Sequence, residues 1–226
     1  MQKVTAVIPA YNEENWIGET VTAIANSLFI DEIIVVDDGS EDLTFLEAKK
    51  AGARVYSHKK NRGKAEALQT GVSFSSNPFL VFVDADLKST ACLVDNLIKP
   101  VINNEADMAV AILPRPQKGG FGIIKKIAQF YIKYRTGFLP LAPLSGQRAL
   151  KREIWECIDA EVFGLGFGVE VALLLKALRN DFRIVEIPLS LQHRERGKDV
   201  KSFCHRGKQF VAVAKVLLGD IYHGRR

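Results

Sequence analysis

At 226 residues, 47% hydrophobic and 25% charged, the chain has the composition of an α/β globular protein and excludes long disorder. Its formal net charge of +5 suits an anionic small molecule or an anionic membrane surface. The basic residues are dispersed and no aromatics interleave with them, which argues against nucleic acid. Cys92, Cys157 and Cys204 are scattered and form no CxxC pair, which argues against a disulfide framework and a zinc site and fits a reducing compartment.

The first half alternates two kinds of segment. Short apolar, β-branched runs at 4–8, 32–36, 53–57, 79–83 and 108–112 read as strands. Helix-like stretches at 15–27, 42–51, 64–74 and 91–103 lie between them. That βαβα order predicts a mostly parallel sheet flanked by helices on both faces. Runs such as IIVVDD and LVFVDAD predict strands buried on both sides, with carboxylates just past their ends. In open α/β sheets ligands bind outside those ends. In the second half, 121–134 reads as an amphipathic helix, Pro140 and Pro143 mark an irregular connection, 169–179 reads as a helix and 183–187 as a strand. A long terminal helix is expected over 202–222, with Phe210, Val213, Ala214, Leu217 and Ile221 on one stripe. No apolar run approaches the roughly 18 residues that span a bilayer. No signal-type apolar segment precedes the first strand. A cytoplasmic protein is expected, soluble or peripheral at the inner face of the membrane.

Four polar clusters sit at strand ends. They are Pro9-Ala10-Tyr11-Asn12-Glu13, Asp37-Asp38-Gly39-Ser40, Asn61-Arg62-Gly63-Lys64 and Asp84-Ala85-Asp86. Taken singly, each has a plain alternative: DDGS is also a turn with Ser40 capping a helix. Together they bring several carboxylates and a lysine to one sheet edge, which is costly unless something cationic joins them. Residues i and i+2 leaving a strand, as Asp84 and Asp86 do, can both reach one divalent ion. Hard cations such as Mg²⁺ or Mn²⁺ take such oxygen donors and share them with substrate phosphates. Gly63-Lys64 at a helix start offers backbone N–H groups and a point charge to an anion.

The order VIPAYNEE, VVDDGS, NRGKAEAL, FVDADL resembles the N-terminal half of family 2 glycosyltransferases, which have the GT-A fold. The resemblance is strong over residues 3–112 and looser beyond. It implies a Rossmann-like nucleotide-sugar-binding half, 1–112, and an acceptor-side half, 113–226, in a single domain. It places Pro9, Ala10, Tyr11, Glu13, Asp37, Asp38, Gly39, Asp84 and Ala85 around a nucleotide-sugar, with a UDP- or GDP-sugar both compatible. Lys64 would lie near the diphosphate and Asp86 on the metal, Mg²⁺ or Mn²⁺.

The second half adds Leu144-Ser145-Gly146-Gln147-Arg148, the segment FGLGFGVE ending at Glu170, and His193-Arg194 with Arg196. They resemble the acceptor side of polyprenyl-phosphate sugar transferases and glucosyl-3-phosphoglycerate synthases. By that likeness His193 completes the metal site, and Ser145, Gly146, Arg148, Arg194 and Arg196 face the acceptor. Catalysis would rest on Asp86, Lys64 and Glu170. No late Glu-Asp pair is present to supply a general base, and Glu170 is the best-placed candidate. A phosphate nucleophile needs none, since its second pKa is about 6. A phosphate-bearing acceptor is therefore expected, 3-phosphoglycerate-like or lipid-linked. The QxxRW pattern of processive synthases is absent, so a single sugar is transferred. A saccharide hydroxyl acceptor, or a non-catalytic nucleotide-binding module, are the alternatives. The apolar stripes at 123–134 and 210–221 read as core-packing faces, with a membrane-surface dock for a lipid-phosphate acceptor as the other reading; a homodimer is also compatible.

Overall fold

The computed structural model describes residues 3–114, 122–158 and 168–192. The strands are β1 (Val4–Ala10), β2 (Ile30–Asp37), β3 (Arg54–Ser57), β4 (Phe79–Phe82), β5 (Met108–Ile112), β6 (Arg148–Lys151) and β7 (Ile184–Pro188). They form one sheet in the order β3-β2-β1-β4-β6-β5-β7. Every neighbouring pair is parallel except those of β6, which runs antiparallel to both β4 and β5. The helices are α1 (Ile17–Ala25), α2 (Thr44–Lys50), α3 (Lys64–Ser73), α4 (Asp95–Ile102), α5 (Gly122–Thr136), α6 (Arg152–Glu156) and α7 (Val169–Arg179). The stretch expected as one helix over 91–103 is instead a 3₁₀ segment, Lys88–Val94, running into α4.

The period-2 alternation of strands sorts their side chains into two cores. From β1, Val4, Ala6, Ile8 and Ala10 face the layer of α1, the 3₁₀ segment and α4. Val7 faces the opposite layer, where α3, α5, α6 and α7 lie. Leu80 and Phe82 of β4 join Val7, while Val81 joins the first core. Both faces of the central strands are thus covered, which explains why their sequences are apolar throughout.

α3 lies very close to the sheet, and Gly71 permits it. A Cβ there would stand 2.4 Å from Val7 Cγ1 and 3.2 Å from Val36 Cγ2. This seating carries the first residue of α3, Lys64, to the carboxyl ends of the strands. At the far edge, Asp107 binds β5, β6 and β7 together. It accepts from Arg183 Nε at 3.0 Å and Arg183 Nη2 at 3.0 Å, and pairs with Lys151 Nζ at 2.7 Å.

β6 was not expected. Its four residues, RALK, are too few to display a period, and the preceding prolines read as a loop. Its place between β4 and β5 has a direct consequence for the site.

Candidate active site at the carboxyl ends of the central strands

β1 pairs with β2 on one side and β4 on the other. The segments leaving β1, β2 and β4 therefore gather at one edge of the sheet, the carboxyl ends where such sheets hold ligands. The first two expected clusters meet there. Asn12 N donates to Ser40 Oγ at 2.9 Å, Glu41 N donates to Asn12 Oδ1 at 2.9 Å, and Asp38 N donates to Ala10 O at 2.8 Å. Asn12 takes a positive φ of 55° to make this turn. Tyr11 stays 44% exposed, so its side chain is accessible to a ligand. Glu13 is buried, and its carbonyl accepts from Trp16 N and Ile17 N to start α1.

The paired aspartates serve different purposes. Asp37 is buried and accepts from Ser40 N at 3.0 Å and Ser57 Oγ at 3.0 Å. Asp38, expected at the nucleotide, is tied to the loop before α3. It is 3% exposed, and its carboxylate receives Arg62 N at 2.9 Å and Gly63 N at 2.7 Å, with His58 Nδ1 at 2.6 Å. The other His58 nitrogen meets Thr70 Oγ1 at 2.9 Å. Asp38 therefore shapes the loop that delivers Lys64. Gly39, at φ 75°, lets this loop touch its neighbour: a Cβ there would stand 2.6 Å from the Lys60 carbonyl carbon.

Lys64 is the centre of the cluster. Its Nζ donates to Asp84 Oδ1 at 2.8 Å and pairs with Glu170 Oε1 at 3.2 Å. Asp84 Oδ2 accepts from Gln147 Nε2 at 2.5 Å. The lysine side chain is 18% exposed and Asp84 29%, so the group opens to solvent on the Asp84 side. Burial alone would push the Lys64 pKa down, but the Asp84 and Glu170 carboxylates hold it above the ordinary lysine value. The ammonium therefore stays charged at neutral pH. Antiparallel pairing of Phe82 with Arg148 runs Gln147 and Gly146 back alongside Val83 and Asp84. Gly146 then abuts the ion pair: a Cβ there would stand 2.3 Å from Lys64 Nζ and 3.2 Å from Asp84 Oδ1. Gln147 carried no weight in the sequence, because only the placement of β6 beside β4 shows its purpose. The second aspartate, Asp86, is buried, and the loop holding it is tied to α1 through Thr20, whose Oγ1 donates to Ala85 O at 2.9 Å and accepts from Lys88 N at 2.8 Å.

Arg148, expected at the acceptor, is held by backbone carbonyls. It is 1% exposed, and its guanidinium donates to the backbone carbonyls of Ser145 at 2.8 Å, Glu170 at 2.7 Å and Pro143 at 3.0 Å. Burial pushes its pKa down to about 10, opposed by Glu170 and Glu186. It fastens the 143–146 turn to the start of α7, and so sets Gly146 and Glu170 at a fixed distance from Lys64. Two buried polar atoms beside it, Ser145 Oγ and Gln147 Oε1, lack a partner among the described residues. His193, Arg194, Arg196, residues 163–167 and the expected helix at 202–222 lie outside the described residues.

Among the described residues no group of three His, Cys, Asp or Glu side chains could by itself hold a metal. The oxygen donors Asp84 and Asp86 are nonetheless of the hard kind that Mg²⁺ and Mn²⁺ take. A shallow hollow of about 400 Å³ lined by Lys3, Asp31, Glu32, Arg54 and Asn77 lies at the opposite, amino-terminal ends of the strands. Its Arg54 and Glu32 are paired with each other, and it has no part in the site.

Comparison with known proteins gives a consistent picture. The profile described as Glycosyl transferase family 2 matches residues 5–158. An uncharacterised protein of Methanocaldococcus jannaschii is 29% identical over 202 residues, covering 85% of this chain and 83% of its own length. Glucosyl-3-phosphoglycerate synthase of Mycobacterium tuberculosis is 31% identical over 197 residues, with 76% of this chain and 60% of that protein covered. Dolichol-phosphate mannosyltransferase of Pyrococcus furiosus is 31% identical over 212 residues, with 87% and 58% covered. The chain thus spans about three fifths of the length of these two enzymes. The crystal structure of the M. tuberculosis synthase in complex with phosphoglyceric acid superposes with a TM-score of 0.80 at 26% identity, covering 96% of this chain and 79% of that one. The same synthase in complex with Mn²⁺, uridine diphosphate and glucosyl-3-phosphoglycerate superposes with a TM-score of 0.78 at 26% identity, with the same coverage.

Proposed function

The chain belongs to glycosyl transferase family 2, and from that premise we propose that it transfers one sugar from a nucleotide-sugar donor to a phosphate-bearing acceptor. The observation that carries the reading is the Lys64 ammonium, nearly buried at the carboxyl end of the sheet and oriented by Asp84 and Glu170. A fixed cation in a partly dry site stabilises negative charge developing on a departing diphosphate far better than a mobile one in water. The β1 and β2 loops, with Tyr11 open at their rim, hold the base and ribose. Asp86, with His193, would hold Mg²⁺ or Mn²⁺, which supplies Lewis-acid neutralisation of the diphosphate. The structural relative's complexes with Mn²⁺, UDP-glucose and phosphoglyceric acid support this choice of donor and acceptor class.

Glu170 is held by the Lys64 ammonium, so its first duty is orientation of that cation rather than proton removal. This suits an acceptor whose phosphate is already an anion at neutral pH. With Arg148 engaged by carbonyls, the acceptor cations fall to Arg194 and Arg196. The acceptor-side half at 113–226 completes a single domain with the donor half.

A thermal-shift panel tests the donor site: UDP-, GDP- and ADP-sugars, each with and without Mn²⁺, on the native chain and on Asp86→Ala. At about 100 times its Kd, a donor should stabilise by about 2.7 kcal/mol, roughly 5–10 °C for a chain of this size. The shift should need metal and should vanish in Asp86→Ala. Absence of any shift with every nucleotide-sugar would remove the donor site. Donor consumption that requires both metal and a phosphate-bearing acceptor separates a transferase from a nucleotide-binding module.

A further inference from the structure

α5 is apolar on two sides. Ile124, Ala128 and Ile132 bury one side in the core, against α7. Ile123, Ile127, Phe130 and Tyr134 follow the spacing i, i+4, i+7, i+11, which aligns them on a second stripe. That stripe faces outward: Ile123 is 71% exposed, Phe130 75% and Tyr134 78%. Two large aromatics and two isoleucines in one exposed row mark a docking surface rather than scattered surface hydrophobes.

Charge selects the occupant. The fifteen residues of α5, GIIKKIAQFYIKYRT, include four Lys or Arg and no acid. The exposed Lys126 and Lys133 stand seven residues apart and so follow one border of the stripe. A second copy seated on this face by two-fold symmetry would set like charges against each other. An anionic lipid surface meets both features, with rings and isoleucines in the acyl boundary and ammonium groups at the headgroups. No helix of the described residues is long and apolar enough to cross a membrane, so the contact is in-plane.

The surface also adjoins the site. The chain leaving α5 exposes Leu139 and Leu141, is pinned to the helix where Gln129 Nε2 donates to Pro140 O at 2.8 Å, and then enters the turn that sets Gly146 against Lys64. We infer that the outer face of α5, with the connection after it, docks the protein on an anionic membrane and brings the site to a lipid-linked phosphate. The choice of lipid-linked acceptor rests on the transferase reading above; the docking surface does not.

Flotation of the full chain tests it, using phosphatidylcholine vesicles with and without phosphatidylglycerol. The native chain should float with the anionic vesicles only, and high salt should release it. Phe130→Ser with Tyr134→Ser, and Lys126→Glu with Lys133→Glu, should each cut recovery about fivefold or more. The donor-induced thermal shift should persist in both variants, which shows them folded. A native chain that stays at the bottom with anionic vesicles overturns the inference, as do variants that float like the native chain. Variants that instead dissociate an oligomer in light scattering would assign the face to a second copy and overturn it equally. Flotation without any donor shift would sink the transferase reading and leave the docking surface standing.

Discussion

The contact of Gly146 with the end of Lys64 fixes what a single methyl group would do. In Gly146→Ala the new Cβ would fall 2.3 Å from Nζ, and the cheapest relief is for the flexible lysine to swing away. The 2.8 Å bond to Asp84 would then be lost while the fold stays intact. Turnover should fall about a hundredfold, in line with removal of one preorganised charge-stabilising group, with little change in melting temperature. Native turnover in this variant would mean that the Lys64 position is immaterial. Because the folded-state pKa of Lys64 is raised, its charge and its contribution to stability are fully present below the ordinary lysine value near 10.4. Both are lost only as pH rises through the still higher folded value. Ordinary pH–rate profiles should therefore contain no limb from Lys64.

At the scale of elements, α3 and β6 do most to build the site, and they differ in how they are specified. α3 depends on Gly71. Replacing it with alanine gains about 1 kcal/mol of helix propensity, but forces a methyl group to 2.4 Å from Val7 Cγ1. Overpacking of that kind costs about 1–3 kcal/mol, so the net effect of Gly71→Ala should be destabilising. It should also displace Lys64, since the helix can relieve the clash only by lifting from β1. A melting curve and a donor-binding titration on the same variant check both parts. An unchanged melt and unchanged affinity would show that the helix has slack at this point. β6 instead depends on register, and Arg148 holds the turn before it through three carbonyls.

For the whole molecule, the far edge of the sheet depends on a charge cluster. Hydrogen bonds from Arg183 hold the Asp107 carboxyl well below the usual carboxylate range, with burial opposing and Lys151 assisting. A depressed carboxylate contributes stability that is full above the unfolded value near 3.9 and is lost as pH falls through the lower folded value. Asp107→Asn should lower stability at neutral pH by roughly 2 kcal/mol and flatten the acid limb of the stability curve below pH 4. Urea melts across pH 2–7 on both proteins measure this, and parallel acid limbs would show that the cluster does not set acid sensitivity.

The strand and helix alternation of the first half, the parallel sheet and the carboxylates at strand ends were legible because they are local. Buried parallel strands must be apolar throughout, and polar clusters interrupt them only where the chain leaves the sheet. Lys64 and Glu170 were legible for the same reason, each standing at a helix start. Four properties required the tertiary structure. Asp37 and Asp38 are adjacent and alike in sequence, yet backbone donors twenty-four and twenty-five residues away make Asp38 a loop anchor. Arg148 has the charge to meet a phosphate, yet the carbonyls around it take its donors. Gln147 matters only because β6 enters antiparallel beside β4. The outer stripe of α5 is apolar like its buried stripe, and only packing against α7 decides which one is left to face outward. Sequence determines what each segment can form and which charges it carries. The long-range pairing of strands and helices decides which of those charges meet each other and which remain for a ligand.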